Sequence, residues 1–370
     1  MSGLYFHIPF CRSVCGYCDF ARTADMRRRD EVVAAMHREL RERRDFLHNI
    51  YIGTVYFGGG TPSVLPPAEL QRLMDTAAEC FDMSGVTECT VEANPDDLDR
   101  RYVDLLRRTP VNRLSIGIQS FDDDCLRMMN RRHTAAQAVD AVKRAQDAGF
   151  DNISVDLIFG VDGFGGEVAE RNIGQVVALG VQHVSAYHLT IEPRTVFARR
   201  VAEGRMKMVP EEVSEAEYMA LHKGLAAAGF DHYEVSNYAL PGRRSRHNSA
   251  YWQGVEYLGI GAGAHSFDGE RRRWNSPSVS QYVAGAGAGE ERLTRRDLRN
   301  EMIMTSLRTA EGLDTALFAE RFGEAEAVKT FEGAKSFLLA DLLVFERGRL
   351  RIPPEKFMVS DSVIEALFEV

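Results

Sequence analysis

The chain has 370 residues, of which 45% are hydrophobic and 27% charged, ordinary values for a soluble globular protein with room for two structural units. A net charge of −9, with no domain-wide basic excess, argues against a protein dedicated to nucleic-acid binding. The sequence has no run of about 18 uncharged apolar residues, so no transmembrane segment is predicted. Residues 1–11 show no basic region followed by a long apolar one, so we expect no secretory signal and a cytoplasmic protein.

Short β-type runs alternate with longer amphipathic segments over the first 240 or so residues, which predicts βα units around a parallel sheet. Predicted strands cover residues 4–8, 54–57, 88–92, 113–119, 152–159, 183–189 and 232–235, and predicted helices cover 30–47, 67–81, 98–107, 134–148, 165–179 and 213–228. This periodicity is compatible with a full barrel, a partial barrel or an open doubly wound sheet. We place this first domain at residues 1–237.

The rest of the chain has a different pattern. Residues 238–291 are rich in glycine, aromatic, arginine and histidine residues, and we expect an irregular connecting segment that ends in a flexible stretch at 278–291. Residues 292–370 then predict a small winged-helix-like α+β domain. Its predicted helices cover 295–308, 315–321, 325–340 and 360–368, and its predicted strands cover 343–346 and 349–352.

Distinctive residues follow several predicted strands. Residues 58–61 (GGGT) follow the second strand, Glu92 and Gln119 end the third and fourth, and Asp156 lies late in the fifth. In parallel α/β folds ligands gather at the carboxyl ends of the strands. We therefore expect these side chains to share one ligand-binding edge.

Three of the six cysteines, Cys11, Cys15 and Cys18, fall in one short loop after the first strand. In a reducing compartment such cysteines are more often metal ligands than disulfides. Zinc sites usually need four protein ligands, and no fourth cysteine or histidine lies at the usual spacing. Three thiolates suit a [4Fe–4S] cubane in which one iron has no protein ligand.

The motif CRSVCGYC, preceded by Tyr5 and HIPF, resembles the radical-SAM superfamily. With YFGGGTPS, VEANP, RLSIGIQSF and DLIFG it is similar, over nearly the whole chain, to the oxygen-independent coproporphyrinogen dehydrogenases and their relatives. The resemblance implies a partial (β/α)6 barrel. It also implies that the open iron of the cluster binds the amino and carboxylate groups of S-adenosylmethionine (SAM).

Residues that contact SAM are implied by the same resemblance. They are Tyr5, Tyr17, Gly59, Gly60, Thr61, Glu92, Gln119, Arg131 and Asp156. Glu92 matches the acid that bonds the SAM ammonium, and Asp156 matches a residue near the ribose. Arg131 matches a polar position suited to the SAM carboxylate. For Tyr5 and Tyr17, simple core packing explains the aromatic side chain as well as contact with the cluster or adenine does.

Two features distinguish branches of this family. The dehydrogenases carry a longer N-terminal segment and a further cysteine where this chain has Phe20. The motif HNxxYW, present here at residues 247–252, is typical of the branch usually called HemW, which consists of heme chaperones. The resemblance thus implies a protein that passes heme from a donor to an acceptor hemoprotein, with an electron donor for the cluster. The alternative is an enzyme that oxidises coproporphyrinogen or modifies another tetrapyrrole.

The HNxxYW motif predicts a heme site. His247 offers an axial ligand for iron, and Tyr251 and Trp252 offer flat apolar faces to a porphyrin. Asn248, the other named residue of the motif, follows His247 directly. Nearby arginines are suited to the heme propionates. Rival iron ligands are His7, His188 and His265. The sequence does not specify the oligomeric state.

Overall fold

The centre of the protein is a sheet of six parallel strands that follow one another in chain order. The computed structural model describes residues 1–369. The six strands are β1 (Ser2–Ile8), β2 (Ile52–Gly59), β3 (Glu88–Ala93), β4 (Arg113–Gln119), β5 (Ile153–Phe159) and β6 (His183–His188). Each strand pairs in parallel with the next.

Helices connect these strands. They are α1 (Arg29–Glu42), α2 (Pro67–Cys80), α3 (Arg100–Leu106), α4 (Asp123–Met128), α5 (Ala135–Asp147), α6 (Gly166–Leu179), α7 (Val196–Ala202) and α8 (Glu211–Ala227). A doubly wound sheet reverses its strand order at a switch point, whereas this order runs from β1 to β6 without reversal. The sheet therefore winds in one direction as a partial (β/α)6 barrel, which confirms the fold that the resemblance implies.

The two faces of the sheet differ in polarity because side chains alternate along a strand. Leu4, Phe6 and Ile8 of β1 point towards the helices and are at most 1% exposed, and Phe6 stacks on Phe57 with 4.6 Å between ring centroids. The intervening positions point into the barrel, where polar side chains meet. Tyr56 donates a hydrogen bond to Glu92, for example. The apolar layer holds the barrel together, and the polar lumen leads to its ends.

Residues 238–291 are not irregular, contrary to our expectation. After β7 (Asp231–Glu234), this part of the chain contains β8 (Asn237–Ala239), α9 (Arg246–Trp252), β9 (Tyr257–Ile260), β10 (His265–Phe267), β11 (Arg271–Trp274), α10 (Val279–Val283) and β12 (Gly289–Arg292). Strand β9 pairs in parallel with β1, and β10 to β12 continue the sheet outward. At the opposite edge β8 pairs with β6 and β7 with β8, so that the sheet has twelve strands within the described residues. The strands have only three or four residues each, too few to produce a recognisable alternation.

A buried ion pair fastens this segment to the barrel. Arg43 and Glu39, near the end of α1, lie 2.9 Å apart. The guanidinium of Arg43 also donates to the Gly259 carbonyl and to Ser266, while the Glu39 carboxylate accepts from Tyr282 at 2.7 Å. Buried charges are tolerated when they are paired and hydrogen-bonded, and here Nε of Arg43 alone of the guanidinium nitrogens has no partner among the described residues. Because the partners come from α1, β9, β10 and α10, the network sets the position of the added strands.

The C-terminal part forms a small α+β domain, as predicted. It consists of α11 (Arg295–Leu307), β13 (Leu313–Asp314), α12 (Thr315–Phe322), α13 (Glu324–Leu339), β14 (Val344–Glu346), β15 (Arg349–Arg351) and α14 (Ser360–Ala366). The two predicted strands pair as the hairpin β14–β15, and both residues of its turn, Arg347 and Gly348, have positive φ. Backbone bonds such as Ala310 N–H to the Tyr233 carbonyl join this domain to the barrel. In the chain up to residue 369 no helix is long and apolar enough to cross a membrane.

Candidate cluster and SAM site

A cavity of about 480 Å³ lies at the carboxyl ends of the barrel strands, and we call it the cysteine cavity. Its lining includes eleven residues that the sequence predicts for the cluster and SAM: Cys11, Cys15, Tyr17, Cys18, Gly59, Gly60, Thr61, Glu92, Gln119, Arg131 and Asp156. They come from the loops or ends after five different strands. Their convergence follows from the parallel sheet, which brings these ends to one edge.

The cysteine loop is held in place by backbone contacts from distant parts of the chain. Gly16 N–H donates to the Met129 carbonyl at 3.0 Å, and the Gly16 carbonyl accepts from Phe197 N–H at 2.9 Å. A Cβ at Gly16 would lie only 2.6 Å from the Phe197 ring. The loop between Cys15 and Cys18 is therefore packed against the end of α4 and the start of α7.

Two of the thiols have donors beside them. Thr61 donates to Cys11 Sγ at 3.3 Å, and Arg131 donates to Cys15 Sγ at 3.3 Å. Burial raises the pKa of Cys11 and raises that of Cys18 to about 11, so without a metal these thiols hold their protons at neutral pH. A metal that binds them must displace those protons.

The donor set fits a [4Fe–4S] cluster. Within residues 1–369 no three cysteine, histidine or acidic side chains are grouped closely enough to hold a single metal ion. In a cubane each thiolate binds a different iron, so the three cysteines around one cavity need not converge on a point. The other three cysteines lie elsewhere: Cys89 and Cys125 are at most 1% exposed in the core, and Cys80 is on α2.

The glycines at the end of β2 are required by close contacts with the chain that leads into the cysteine loop. Gly59 has φ of 111°, and a Cβ there would lie 2.9 Å from the His7 ring. Gly60 donates its N–H to the Ile8 carbonyl, and a Cβ on it would lie 2.8 Å from the Phe10 carbonyl oxygen. The turn therefore packs against the backbone that leads into Cys11.

Three arginines line the cavity, Arg22, Arg131 and Arg132, and Arg131 is the one that donates to a cysteine thiol. Besides Cys15, it donates to Asn94 at 2.7 Å and to the Gly117 carbonyl at 2.5 Å, whereas its neighbour Arg132 pairs with Asp96. Asn94 was not among the predicted site residues, although it stands inside the quoted motif VEANP. The guanidinium therefore connects the cysteine loop to the ends of β3 and β4.

Gln119 has a backbone conformation that is uncommon for its type. Its φ is 71°, in the left-handed region, and the β4–β5 register shifts between Gly117 and Gln119. Such strain outside glycine is found mostly at functional sites, where the surrounding structure enforces it. Here it ends β4 at the wall of the cysteine cavity.

Two carboxylates that are only partly exposed also line the cavity. Burial raises the pKa of Glu92 to about 7, against an ordinary value of 4.5, although Tyr56 donates to it at 2.8 Å and Gly59 N–H at 3.2 Å. Burial also raises the pKa of Asp156, which accepts from Ser115 at 3.1 Å. Among the described residues neither has an ion-pair partner. An ammonium and hydroxyl groups, as SAM carries them, fit this pair.

The two tyrosines differ in position. Tyr17 lines the cysteine cavity and lies 6.3 Å from Phe197, ring centre to ring centre. Tyr5 does not line it. Its ring lies inside the barrel beside Tyr56, and its hydroxyl bonds to His7 at 3.1 Å. The core-packing explanation therefore describes the surroundings of Tyr5.

The HNxxYW motif lies at the other end of the barrel, on α9. His247 is 2% exposed, and both of its ring nitrogens are hydrogen-bonded, Nδ1 to Thr54 at 2.8 Å and Nε2 to Tyr251 at 2.9 Å. Its ring stacks on Tyr56 with 5.1 Å between centroids. The structure therefore separates His247, which lies in the lumen, from Tyr251 and Trp252, which line a second cavity. Asn248 belongs to the first turn of α9, where its N–H is capped by Ser245.

Comparison with known families places this architecture. The model of the radical SAM superfamily matches residues 5–171, and that of the HemN C-terminal domain matches residues 293–359. The chain is therefore a radical-SAM protein with a HemN-type C-terminal domain.

Relatives narrow the family further. "Heme chaperone HemW" of Lactococcus lactis subsp. lactis (strain IL1403) is 35% identical over 98% of this chain and 96% of the relative. The protein of the same name from Bacillus subtilis (strain 168) is 35% identical over 92% of this chain and 91% of the relative. The chain belongs to the HemW family.

A solved structure supports the fold. Coproporphyrinogen III oxidase (HemN) from Escherichia coli superposes with a TM-score of 0.85 over 99% of this chain and 89% of that chain. The two are 21% identical, so the likeness concerns the fold alone.

The glycine turn gives a testable prediction. Gly60→Ala places a Cβ against two backbone carbonyls, so the turn or the cysteine loop must shift, and we expect a loss of about 1–3 kcal/mol in the free energy of unfolding. Iron content after anaerobic reconstitution should fall with it. Gly174→Ala is the matched control, because nothing lies within 4 Å of its Cβ in α6, and it should stabilise by about 0.5–1 kcal/mol. Equal unfolding midpoints for the two variants in denaturant would contradict the packing argument.

Proposed function

We propose that this protein is a radical-SAM heme chaperone that receives heme from a donor and passes it to an acceptor hemoprotein. It holds a [4Fe–4S] cluster on Cys11, Cys15 and Cys18 and binds SAM in the cysteine cavity. The observation that carries the proposal is the 35% identity to a protein named heme chaperone over 98% of this chain.

The rim of the cavity adds to this argument. Phe20 lines the cysteine cavity and is 66% exposed. It occupies the position at which the coproporphyrinogen dehydrogenases, by resemblance, carry a further cysteine. An apolar side chain here supplies no ligand or redox group, so the pattern favours the chaperone over the dehydrogenase.

The residues of the cavity have distinct tasks in SAM binding. A cluster with bound SAM supplies one-electron reducing chemistry at the sulfonium, and an electron donor is required for it. Glu92, ionised, accepts from the SAM ammonium, while Asp156 accepts from the ribose hydroxyls. Arg131 balances the negative charge of the thiolates and offers its guanidinium to the SAM carboxylate.

The function itself is tested by two assays on one sample, the cluster-reconstituted full chain under anaerobic conditions. We expect this sample to bind heme and to pass it to an apo-hemoprotein. With reductant, SAM and coproporphyrinogen III, we expect no protoporphyrinogen, measured by fluorescence after oxidation. If the protein turned over coproporphyrinogen and did not bind heme, the chaperone function would be wrong and the dehydrogenase function would take its place.

The cluster ligands are tested by cysteine replacement. Cys11→Ala, Cys15→Ala or Cys18→Ala should abolish the broad absorption of the cluster near ~400 nm, because a cubane with one open iron needs all three thiolates. Cys80→Ala, Cys89→Ala and Cys125→Ala are the controls, since these side chains lie outside the cavity. The assignment is wrong if a control variant loses the cluster while one of the three predicted ligands can be dispensed with.

The role of Glu92 predicts a pH dependence. Only the ionised carboxylate pairs with an ammonium, so with a pKa of about 7 SAM affinity should fall below neutral pH, by about tenfold per pH unit. Glu92→Gln should bind SAM about ten- to a hundredfold more weakly at pH 8 and lack this dependence. Anaerobic calorimetry between pH 6 and 8 measures both, with exposed Glu79→Gln as control.

Stability should show the opposite slope in the absence of ligand. The folded protein keeps the Glu92 proton up to about pH 7, whereas the unfolded chain releases it near 4.5. The ionised form is thus penalised only when folded, and this residue lowers the free energy of unfolding as pH rises from 4.5 to 7. A wild-type SAM affinity that is constant between pH 6 and 8 would contradict the role given to Glu92.

A further inference from the structure

Arg22 follows the cysteine loop and lines the cysteine cavity together with Arg131 and Arg132. Arg131 donates to the Cys15 thiol, and Arg132 pairs with Asp96. Arg22 forms no ion pair among the described residues. It is therefore a cation of the cavity whose charge no carboxylate of the described chain balances.

The backbone on both sides of Arg22 is fixed against the end of β1. The Thr23 carbonyl accepts from Cys11 N–H at 3.0 Å, and the Ala21 carbonyl accepts from His7 Nε2 at 2.8 Å. Arg22 therefore extends from a backbone whose position is set by the same strand that leads into the cysteine loop. A side chain with so firm a base keeps its place beside the loop.

The guanidinium of Arg22 turns back over the cysteine loop. One terminal nitrogen donates to the Cys18 carbonyl, and the other donates to the Phe20 carbonyl at 3.1 Å. Its Nε is buried and has no hydrogen-bond partner among the described residues. A buried donor without a partner is costly, so an acceptor supplied by a bound group would satisfy this nitrogen. The sulfur atoms of an iron–sulfur cluster are acceptors of this kind.

The three cysteines differ in their polar neighbours. The thiols of Cys11 and Cys15 each accept a hydrogen bond from a side chain, whereas no side chain of the described residues donates to the Cys18 thiol. Arg22 is the charged group held next to Cys18. Burial raises the pKa of the Cys18 thiol to about 11, and the positive charge of Arg22 opposes this rise. The guanidinium thus lies within electrostatic reach of that sulfur.

A cation at this place affects how readily a cluster accepts an electron. Three thiolates make a [4Fe–4S] cluster anionic, and reduction adds one further negative charge. The electron comes from a low-potential one-electron donor, and this step transfers no proton and no group. A neighbouring positive charge and N–H donors to sulfur stabilise the reduced state more than the oxidised state, so they raise the reduction potential. A cation that is already in place needs no rearrangement when the electron arrives.

We propose that Arg22 raises the reduction potential of the cluster held by Cys11, Cys15 and Cys18, and so favours its one-electron reduction. Arg22 acts through its charge and its hydrogen bonds and is a positioning residue, not an iron ligand. The inference rests on the cluster of the proposed function and adds a residue that regulates its reduction. The cysteine motif ends at Cys18, so the motif itself does not indicate this residue.

The test is a redox titration of the cluster-reconstituted full chain without SAM, followed by the electron paramagnetic resonance signal of the reduced cluster. Arg22→Gln removes the charge, so its midpoint potential should be more negative than that of wild type. At a fixed solution potential the ratio of reduced to oxidised cluster should fall by about three- to tenfold, as for one partly screened charge. Arg22→Lys keeps the charge and should stay close to wild type. Arg27→Gln is the matched control, because it makes the same change at an exposed side chain that pairs with Asp25, and it should leave the potential unchanged.

Iron content and SAM affinity, measured on the same variants, separate this role from the alternatives. If Arg22→Gln and Arg22→Lys both lose iron while the remaining cluster keeps the wild-type potential, Arg22 only holds the loop in place and the proposal is wrong. An unchanged potential in a fully loaded Arg22→Gln variant also overturns it, and a fall in SAM affinity alone would assign Arg22 to SAM instead.

The proposed function can fail independently. If wild type does not bind heme but Arg22→Gln shifts the potential as expected, the chaperone function is wrong and the role of Arg22 stands. If wild type takes up no cluster, the cluster assignment and the role of Arg22 are both wrong, whatever the result with heme.

Discussion

The polar lumen of the barrel is the constraint on which the rest of the structure depends. A barrel of six strands has an interior that must be filled by side chains, and here many of them carry polar atoms that need partners. Tyr56 occupies the middle of this interior: its hydroxyl bonds Glu92 towards one end, and its ring stacks on His247 towards the other. His247 in turn bonds Tyr251, which lines the second cavity between α9 and α11. One column of packed side chains thus reaches both cavities.

The sequence predicted best those features that depend on residues close to one another along the chain. The spacing of Cys11, Cys15 and Cys18 lies within one loop, and residues at the ends of successive parallel strands must meet at one edge whatever the detailed packing. Glu92 and Asp156 were therefore found from the order of elements and the motifs around them. The helices of the C-terminal domain were also recognised, because each has enough residues to show its period.

Contacts between residues that are far apart in the sequence could not be predicted in this way. His247 belongs to a heme motif by resemblance, yet its partner Thr54 precedes it by 193 residues, and nothing in the motif indicates that pairing. Likewise the strands β9 to β12 have three or four residues each and are positioned by the Glu39–Arg43 pair from α1. Tertiary contacts, and not local propensity, decide such elements.

The cysteine cavity also illustrates why a ligand site costs stability before it is filled. Glu92 and Asp156 are partly buried close to each other without an ion-pair partner among the described residues, and Arg131 is already bonded to Asn94 and Cys15. Replacing either acid by an apolar residue would remove a desolvation penalty, and with it the group that recognises a positive charge. A ligand that brings an ammonium to Glu92 offsets this penalty only in the folded state, since the unfolded chain has no such site. Such a ligand would therefore stabilise the folded chain by a free energy that grows with the logarithm of its concentration over its dissociation constant.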